Sequence, residues 1–267
     1  MYKDFLDKIV ETTKKEVKLR KKRVDLQKYY HKVLLKKGAL SHTFLTKIHA
    51  IGLRRLGIIA EIKLASPASG ILVNTEEEVE EKIMDYVEAR VDAISVVTEK
   101  KFFKGDLGLI RFVKFFTEVP VLQKDFVIDP FQIYESKDKG ANALLLIARI
   151  LPKQELKDFV DVCLEIGIDP VVEVSSIEDL ENAVSTNAQI IAVNSRDLDT
   201  FEVDVERACR IMKRIPDHYL KLGFSGVNSK NEAKLYRASG ASAVLIGTKL
   251  MKENDVKGFL KEILKND

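Results

Sequence analysis

Two lysines, two glutamates and an asparagine stand out in this chain because they interrupt apolar runs near their ends. Glu61 and Lys63 sit in Gly57–Lys63, Lys124 closes Pro120–Lys124, Glu173 is next to last in Val171-Val172-Glu173-Val174, and Asn194 closes Gln189–Asn194. If these runs are extended, alternation puts Ile59, Glu61 and Lys63 on one face, Leu122 and Lys124 on another, and Ile190, Ala192 and Asn194 on a third. An unpaired charge in apolar surroundings costs several kcal/mol, so these groups must meet each other, water or a ligand. Ammonium and carboxylate groups that face one another can pass protons, which is the chemistry of a general acid–base site. The same residues could instead form an ion-pair network that only closes one end of the fold.

A second set of residues is small. Ser225-Gly226 and Gly247-Thr248 each follow a short apolar run. Glycine lets a backbone N–H approach an anion closely, and the hydroxyls add donors, so the pair of segments suits a phosphate. A single glycine at a strand end is often only a turn. Two such sites in adjacent runs carry more weight.

The elements that must position these residues can be read from periodicity. From Gly57 onward, short β-branched runs alternate with helical runs of about a dozen residues, the pattern of βαβ units and a parallel sheet. The runs predict eight strands: Gly57–Lys63, Asp92–Thr98, Pro120–Lys124, Asn142–Ile147, Asp169–Val174, Gln189–Asn194, Tyr219–Gly223 and Ser242–Gly247. Thr75 with Glu78, Ser176 with Asp179 and Ser229 with Glu232 fit capping boxes that start helices. Val91-Asp92-Ala93-Ile94-Ser95, Gly140-Ala141-Asn142-Ala143-Leu144-Leu145, Asn187-Ala188-Gln189-Ile190-Ile191 and Gly240-Ala241-Ser242-Ala243-Val244-Leu245 each join a helix end to an apolar strand. They recur roughly every 50 residues, the length of two βα units. Neither GxGxxG nor GxxxxGK[ST] follows the first strand, which weakens a dinucleotide or P-loop reading. The expected fold is an α/β (βα)8 TIM barrel with an N-terminal helical extension, forming one domain with the extension over 1–56 and the barrel over 57–267. Residues 4–22 and 25–37 read as helices of that extension, the second stopping at Gly38. Active sites of this fold lie at the C-terminal ends of the strands, where the interrupting residues fall.

Composition narrows the partners. Residues 1–38 hold thirteen Lys and Arg against five Asp and Glu, a local +8, and since the whole chain carries +3 the remainder carries −5. The run Lys18-Leu19-Arg20-Lys21-Lys22-Arg23 raises nucleic acid as a partner, but no stacking pattern or nucleic-acid motif accompanies it. A solvated helix face is expected, with no nucleic acid bound. Cys163 and Cys209 lack zinc or disulfide spacing and read as small core residues. With no run of 18 apolar residues and no signal-like N-terminus, the expectation is a cytoplasmic protein with no membrane partner.

At these residues the chain resembles the indole-3-glycerol phosphate synthase family. Gly57-Ile58-Ile59-Ala60-Glu61-Ile62-Lys63-Leu64-Ala65-Ser66-Pro67 is similar to the family's first-strand motif. Val121-Leu122-Gln123-Lys124-Asp125-Phe126, Val172-Glu173-Val174, Asn194-Ser195-Arg196-Asp197-Leu198 and Leu245-Ile246-Gly247-Thr248 follow in order, and Leu6-Asp7-Lys8-Ile9-Val10 resembles its extra helix. The resemblance implies conversion of 1-(2-carboxyphenylamino)-1-deoxyribulose 5-phosphate to indole-3-glycerol phosphate with loss of CO2 and water, without cofactor or metal. It implies Lys124 as the acid in ring closure, Lys63 on the substrate carboxylate, Glu173 in dehydration, Glu61 orienting a neighbour, Asn194 on a substrate hydroxyl and Arg196 bracing the mouth. Ser66, Ser225, Gly226, Gly247 and Thr248 would hold phosphate, and Phe103, Phe126 and Leu145 would enclose the anthranilate ring. The family's place in tryptophan biosynthesis also raises association with other enzymes of that pathway.

The chain departs from the family after the seventh strand. The usual Ser-Glu-Ser-Gly is Gly223-Phe224-Ser225-Gly226 here, so Phe224 replaces a carboxylate expected beside the substrate. This keeps open another phosphosugar-acting barrel of isomerase type, a catalytically impaired relative, or a barrel that only binds a phosphorylated ligand or a partner protein.

Overall fold

Eight short parallel strands pair edge to edge until the last meets the first, and this closure governs where every side chain can go. The computed structural model describes residues 5–35 and 43–265. The barrel strands are β1 (Gly57–Ile62), β2 (Ala93–Val97), β3 (Val121–Lys124), β4 (Ala143–Ile147), β5 (Asp169–Val174), β6 (Ile190–Asn194), β7 (Leu220–Phe224) and β8 (Ala243–Ile246). Neighbours in sequence are neighbours in the barrel, and β1 pairs with both β2 and β8. The eight predicted strands all form, each bound within one residue of the expected one. All their residues are buried except Lys124, which is partly open. A parallel sheet covered on both faces explains why the runs are apolar at every position rather than at alternate ones.

Alternation sorts those residues into two cores. Ile59, Leu122, Leu145, Val171, Ile190, Leu222 and Leu245 fill the barrel interior. Ile58, Ile94, Leu144, Val172, Ile191 and Val244 face outward against the helices. Each such side chain contributes about 1.5–3 kcal/mol when fully buried. The outer layer includes α4 (Glu76–Glu88), α5 (Gly108–Phe116), α6 (Pro130–Lys139), α7 (Lys153–Ile166), α8 (Ile177–Val184), α9 (Val205–Met212) and α10 (Lys230–Ala238), with α11 (Thr248–Lys252) and α12 (Val256–Leu264) closing the chain. The three expected capping boxes, at Thr75, Ser176 and Ser229, are all present. Each satisfies free backbone donors and stabilises its helix by about 1 kcal/mol. Cys163 and Cys209 are buried in α7 and α9.

Before the barrel come α1 (Phe5–Lys21), α2 (Leu26–Leu35) and a helix that periodicity did not reveal, α3 (Thr43–Gly52). The predicted stop at Gly38 and the start at Asp4 lie outside the described residues. α3 seals the N-terminal end of the barrel. Phe44 and Ile48, four residues apart and fully buried, enter the interior core, while the Leu45 N–H donates to Asp169 Oδ2 at the start of β5.

α1 runs to the opposite end. Leu6, Ile9, Thr13 and Val17 form its buried stripe, with the three- and four-residue spacing of an amphipathic helix. Part of the basic run does more than face water. Arg20 grips Glu135 of α6 through bonds of 3.0–3.2 Å, and Lys21 reaches Asp129 at 2.8 Å. Lys22 and Arg23 are exposed. Among the described residues, no helix is long and apolar enough to cross a membrane.

Candidate active site

The C-terminal ends of the strands open into one cavity. β1 supplies Glu61, with Lys63 just beyond it; β3 supplies Lys124; β4 supplies Leu145; Asn194 ends β6. Ser66, Phe103, Phe126, Arg196, Ser225, Gly226, Gly247 and Thr248 line the same space. Two expected residues do not reach it. Glu173 is only 2% exposed and sits beneath the wall, though within reach of Lys124. Phe224 is fully buried in the interior core with Leu222 and Leu245, so it lies off the cavity lining and fills the barrel below it. The expected place of Phe224 in the cavity lining is therefore corrected. Strand parity turns it inward, and the interior core encloses it.

The charged groups fall into two pairs. Lys63 Nζ lies 2.7 Å from Glu61 Oε1. Lys124 Nζ lies 3.9 Å from Glu173 Oε2, close enough for attraction but beyond hydrogen-bond distance. Asn194 Nδ2 donates to Glu173 Oε1 at 3.1 Å, while Glu173 Oε2 has no hydrogen-bond partner although fully buried. An acceptor left open beside an ammonium is poised to take a proton or a substrate hydroxyl. Burial opposes the Glu61 carboxylate, but Lys63, Lys124 and Arg196 outweigh it and hold its carboxyl below the ordinary range. Glu61 is therefore an anion at neutral pH. Burial lowers the Arg196 guanidinium from its usual value, with Glu61 acting in the opposite sense.

The glycine at 247 leaves room for this arrangement. A Cβ there would stand 2.2 Å from Glu61 Oε1 and 2.9 Å from Lys63 Nζ. The carboxylate thus occupies the space a side chain would need. After β7 the chain turns through two successive left-handed residues, Ser225 at φ 68° and Gly226 at φ 77°. At Gly226 a side chain would also strike Val205 Cγ2 and Ser195 Oγ.

Loops around the mouth are held by local bonds. Glu99 accepts from the N–H groups of Lys101, Phe102 and Phe103 at 2.7–3.0 Å, which fixes the loop that delivers Phe103. The Phe103 and Phe126 rings lie 6.3 Å apart, forming an aromatic wall. Asn194 Oδ1 accepts from the Arg196 N–H, and Arg196 reaches across to the Phe201 carbonyl. Arg149, beyond β4, pairs with Asp197 and Asp199 and clamps that loop from outside. Phe5 of α1 meets Phe102 and Phe201 edge-on, each at 5.1 Å, so the first helix ties two mouth loops together. Val97, Asp125, Leu198, Phe201 and Lys249 also line the cavity without having been singled out from sequence. Asp125 and Leu198 stand inside quoted motifs without an assigned role, and Lys249 directly follows one.

Fold and mouth together define a (βα)8 barrel whose cavity brings together paired ammonium and carboxylate groups. Solved structures of 3-hexulose-6-phosphate synthase share the fold: that from Salmonella typhimurium aligns with a TM-score of 0.64 at 16% identity, covering 78% of this chain and 96% of the other. A model of the family described as indole-3-glycerol phosphate synthase matches residues 6–263. The chain is 42% identical over 261 residues to indole-3-glycerol phosphate synthase of Caldanaerobacter subterraneus subsp. tengcongensis, covering 97% of this chain and 98% of that one. It is 38% identical over 260 residues to that of Alkaliphilus metalliredigens, covering 97% of each. The chain belongs to the indole-3-glycerol phosphate synthase family, carboxy-lyases of tryptophan biosynthesis. Identity over nearly the whole length favours this family over a barrel isomerase.

Proposed function

We propose that this cavity closes the indole ring of 1-(2-carboxyphenylamino)-1-deoxyribulose 5-phosphate, releasing CO2 and water to leave indole-3-glycerol phosphate. Attack of the carboxyl-bearing ring carbon on the ribulose carbonyl builds negative charge on the carbonyl oxygen. Lys124 donates the proton that neutralises it. The single observation that carries this assignment is the 3.9 Å gap between Lys124 Nζ and Glu173 Oε2, a cation at the mouth that is attracted but not bonded. Lys63 steers the substrate carboxylate, and Glu61 restrains Lys63 through their 2.7 Å contact. Once CO2 has left, Glu173 takes the proton from the ring carbon beside nitrogen and returns it to the hydroxyl on the former carbonyl carbon, whose C–O bond breaks as water leaves and the ring double bond forms. Asn194, bonded to Glu173 Oε1, leaves that carboxylate's other oxygen free on the side of Lys124.

In this scheme Phe103, Phe126 and Leu145 enclose the anthranilate ring, and Arg196 braces the mouth. Ser66, Ser225, Gly226, Gly247 and Thr248 surround the phosphate, with backbone N–H groups supplying most of the donors. Phe224 supports the floor from below. Incubating the folded protein with this substrate should produce indole fluorescence together with one CO2 per turnover. Substrate left unchanged by folded protein would overturn the assignment.

A further inference from the structure

The turn that carries Ser225 and Gly226 is fastened from behind by a residue outside the cavity. Tyr236, on α10, is fully buried between that helix and β7. Its hydroxyl lies 3.1 Å from the carbonyl oxygens of both Phe224 and Ser225. The ring fits only because residue 223 is glycine, since a Cβ there would lie 2.4 Å from Tyr236 Cδ1. Gly223 is one of the two departures from the family's usual Ser-Glu-Ser-Gly, so that departure makes the room Tyr236 occupies.

The geometry of the peptide unit gives this contact a consequence. In a trans peptide the C=O and N–H point in opposite directions across one plane, and no cis peptide is present among the described residues. The Phe224 carbonyl shares its plane with the Ser225 N–H, and the Ser225 carbonyl shares its plane with the Gly226 N–H. The Phe224 carbonyl also accepts from the Ser195 N–H at 3.0 Å, so that N–H and the phenol hold it together, and with both carbonyls turned to the phenol the Ser225 and Gly226 N–H groups face the other way. Ser225 also has φ 68°, a conformation that costs a non-glycine residue free energy and persists only where surrounding contacts hold it. Tyr236 supplies such a contact.

We infer that Tyr236 is a positioning residue for anion binding: by holding the Phe224 and Ser225 carbonyls, it aims the Ser225 and Gly226 N–H groups at the substrate phosphate. This rests on the proposal that phosphate sits at residues 225–226 and 247–248. Tyr236 touches neither substrate nor the reacting atoms, so its effect should appear in binding rather than in the chemical step.

Tyr236→Phe removes the hydroxyl and keeps the ring, so it tests the point with little risk to folding. Inorganic phosphate serves as probe, measured as a competitive inhibitor beside KM, kcat and Tm. Losing one hydrogen bond of ordinary net strength should raise Ki for phosphate and KM for substrate together by about two- to tenfold, with kcat held. If phosphate does not compete in the wild type, the phosphate assignment fails and the inference falls with it. If phosphate competes equally well in wild type and Tyr236→Phe, the assignment stands and the inference is overturned. A drop in Tm with Ki unmoved also overturns it, because packing alone would explain that result.

Discussion

Gly247→Ala is a one-methyl change whose effect can be followed through the site. The new Cβ would fall 2.2 Å from Glu61 Oε1, where ordinary contact begins near 3.4 Å, so the carboxylate must retreat by about 1 Å. That shift pulls it off Lys63, now 2.7 Å away, and Lys63 Nζ itself stands only 2.9 Å from the methyl. Misplacing catalytic groups by about 1 Å can cost roughly 10²-fold in rate. We therefore expect kcat/KM to fall about 10²-fold, read by indole fluorescence. The fold should survive, because Lys124 and Arg196 still face the displaced carboxylate. A double-mutant cycle locates the cause. In a Glu61→Ala background the methyl has no carboxylate to displace, so Gly247→Ala should cost far less there. Any rise in KM that remains in that background measures lost contact with the phosphate. A folded Gly247→Ala protein with kcat/KM within about threefold of wild type would refute the claim that Gly247 exists to admit Glu61.

Four further outcomes follow from the same geometry. Lys124→Met should lower kcat by about 10²–10⁴ with the circular dichroism spectrum unchanged, and near-normal turnover would remove Lys124 as the acid. Gly223→Ala should lower Tm by driving a methyl into the Tyr236 ring, while Gly223→Ala/Tyr236→Leu should recover part of the loss; equal Tm values for both variants would contradict the clash. Phe5→Ala removes two edge-on ring contacts worth about 0.5–1.5 kcal/mol each, so protease cleavage within residues 5–21 should quicken and KM should rise; unchanged cleavage would show that α1 is held by other means. Burial raises the Asp125 carboxyl above its ordinary range, despite its bond from Thr98. Between the ordinary value, about 4, and the raised one, the folded state holds a proton that the unfolded chain has released, so this group's stabilisation declines as pH rises through that window. Glu99 and Glu135 are shifted in the same direction by burial, so Asp125→Asn should flatten the fall of Tm with pH without abolishing it. Parallel Tm profiles for wild type and Asp125→Asn would discount the Asp125 contribution.

What the amino-acid sequence determines by itself here is whatever depends on near neighbours. Strand alternation needs only residues two apart, and a capping box needs only residues three apart, so the eight strands and the boxes at Thr75, Ser176 and Ser229 were legible. Glu61, Lys63, Lys124 and Asn194 were legible for the same reason: each interrupts an apolar run near its end, and a barrel brings those ends together. Helix α3 was not, because its buried face comes down to Phe44 and Ile48, too short a pattern to stand out in a ten-residue element. Tertiary structure alone decided the remainder. Alternation could turn Phe224 inward, but only closure of the barrel determined that it would be enclosed in the interior core instead of lining the cavity. The fit of Tyr236 over Gly223, the bridge from Phe5 to Phe102 and Phe201, and the clamp of Arg149 on Asp197 and Asp199 join residues between 13 and 196 positions apart. No local periodicity records such pairs, because their separation is set by how the strands close on one another.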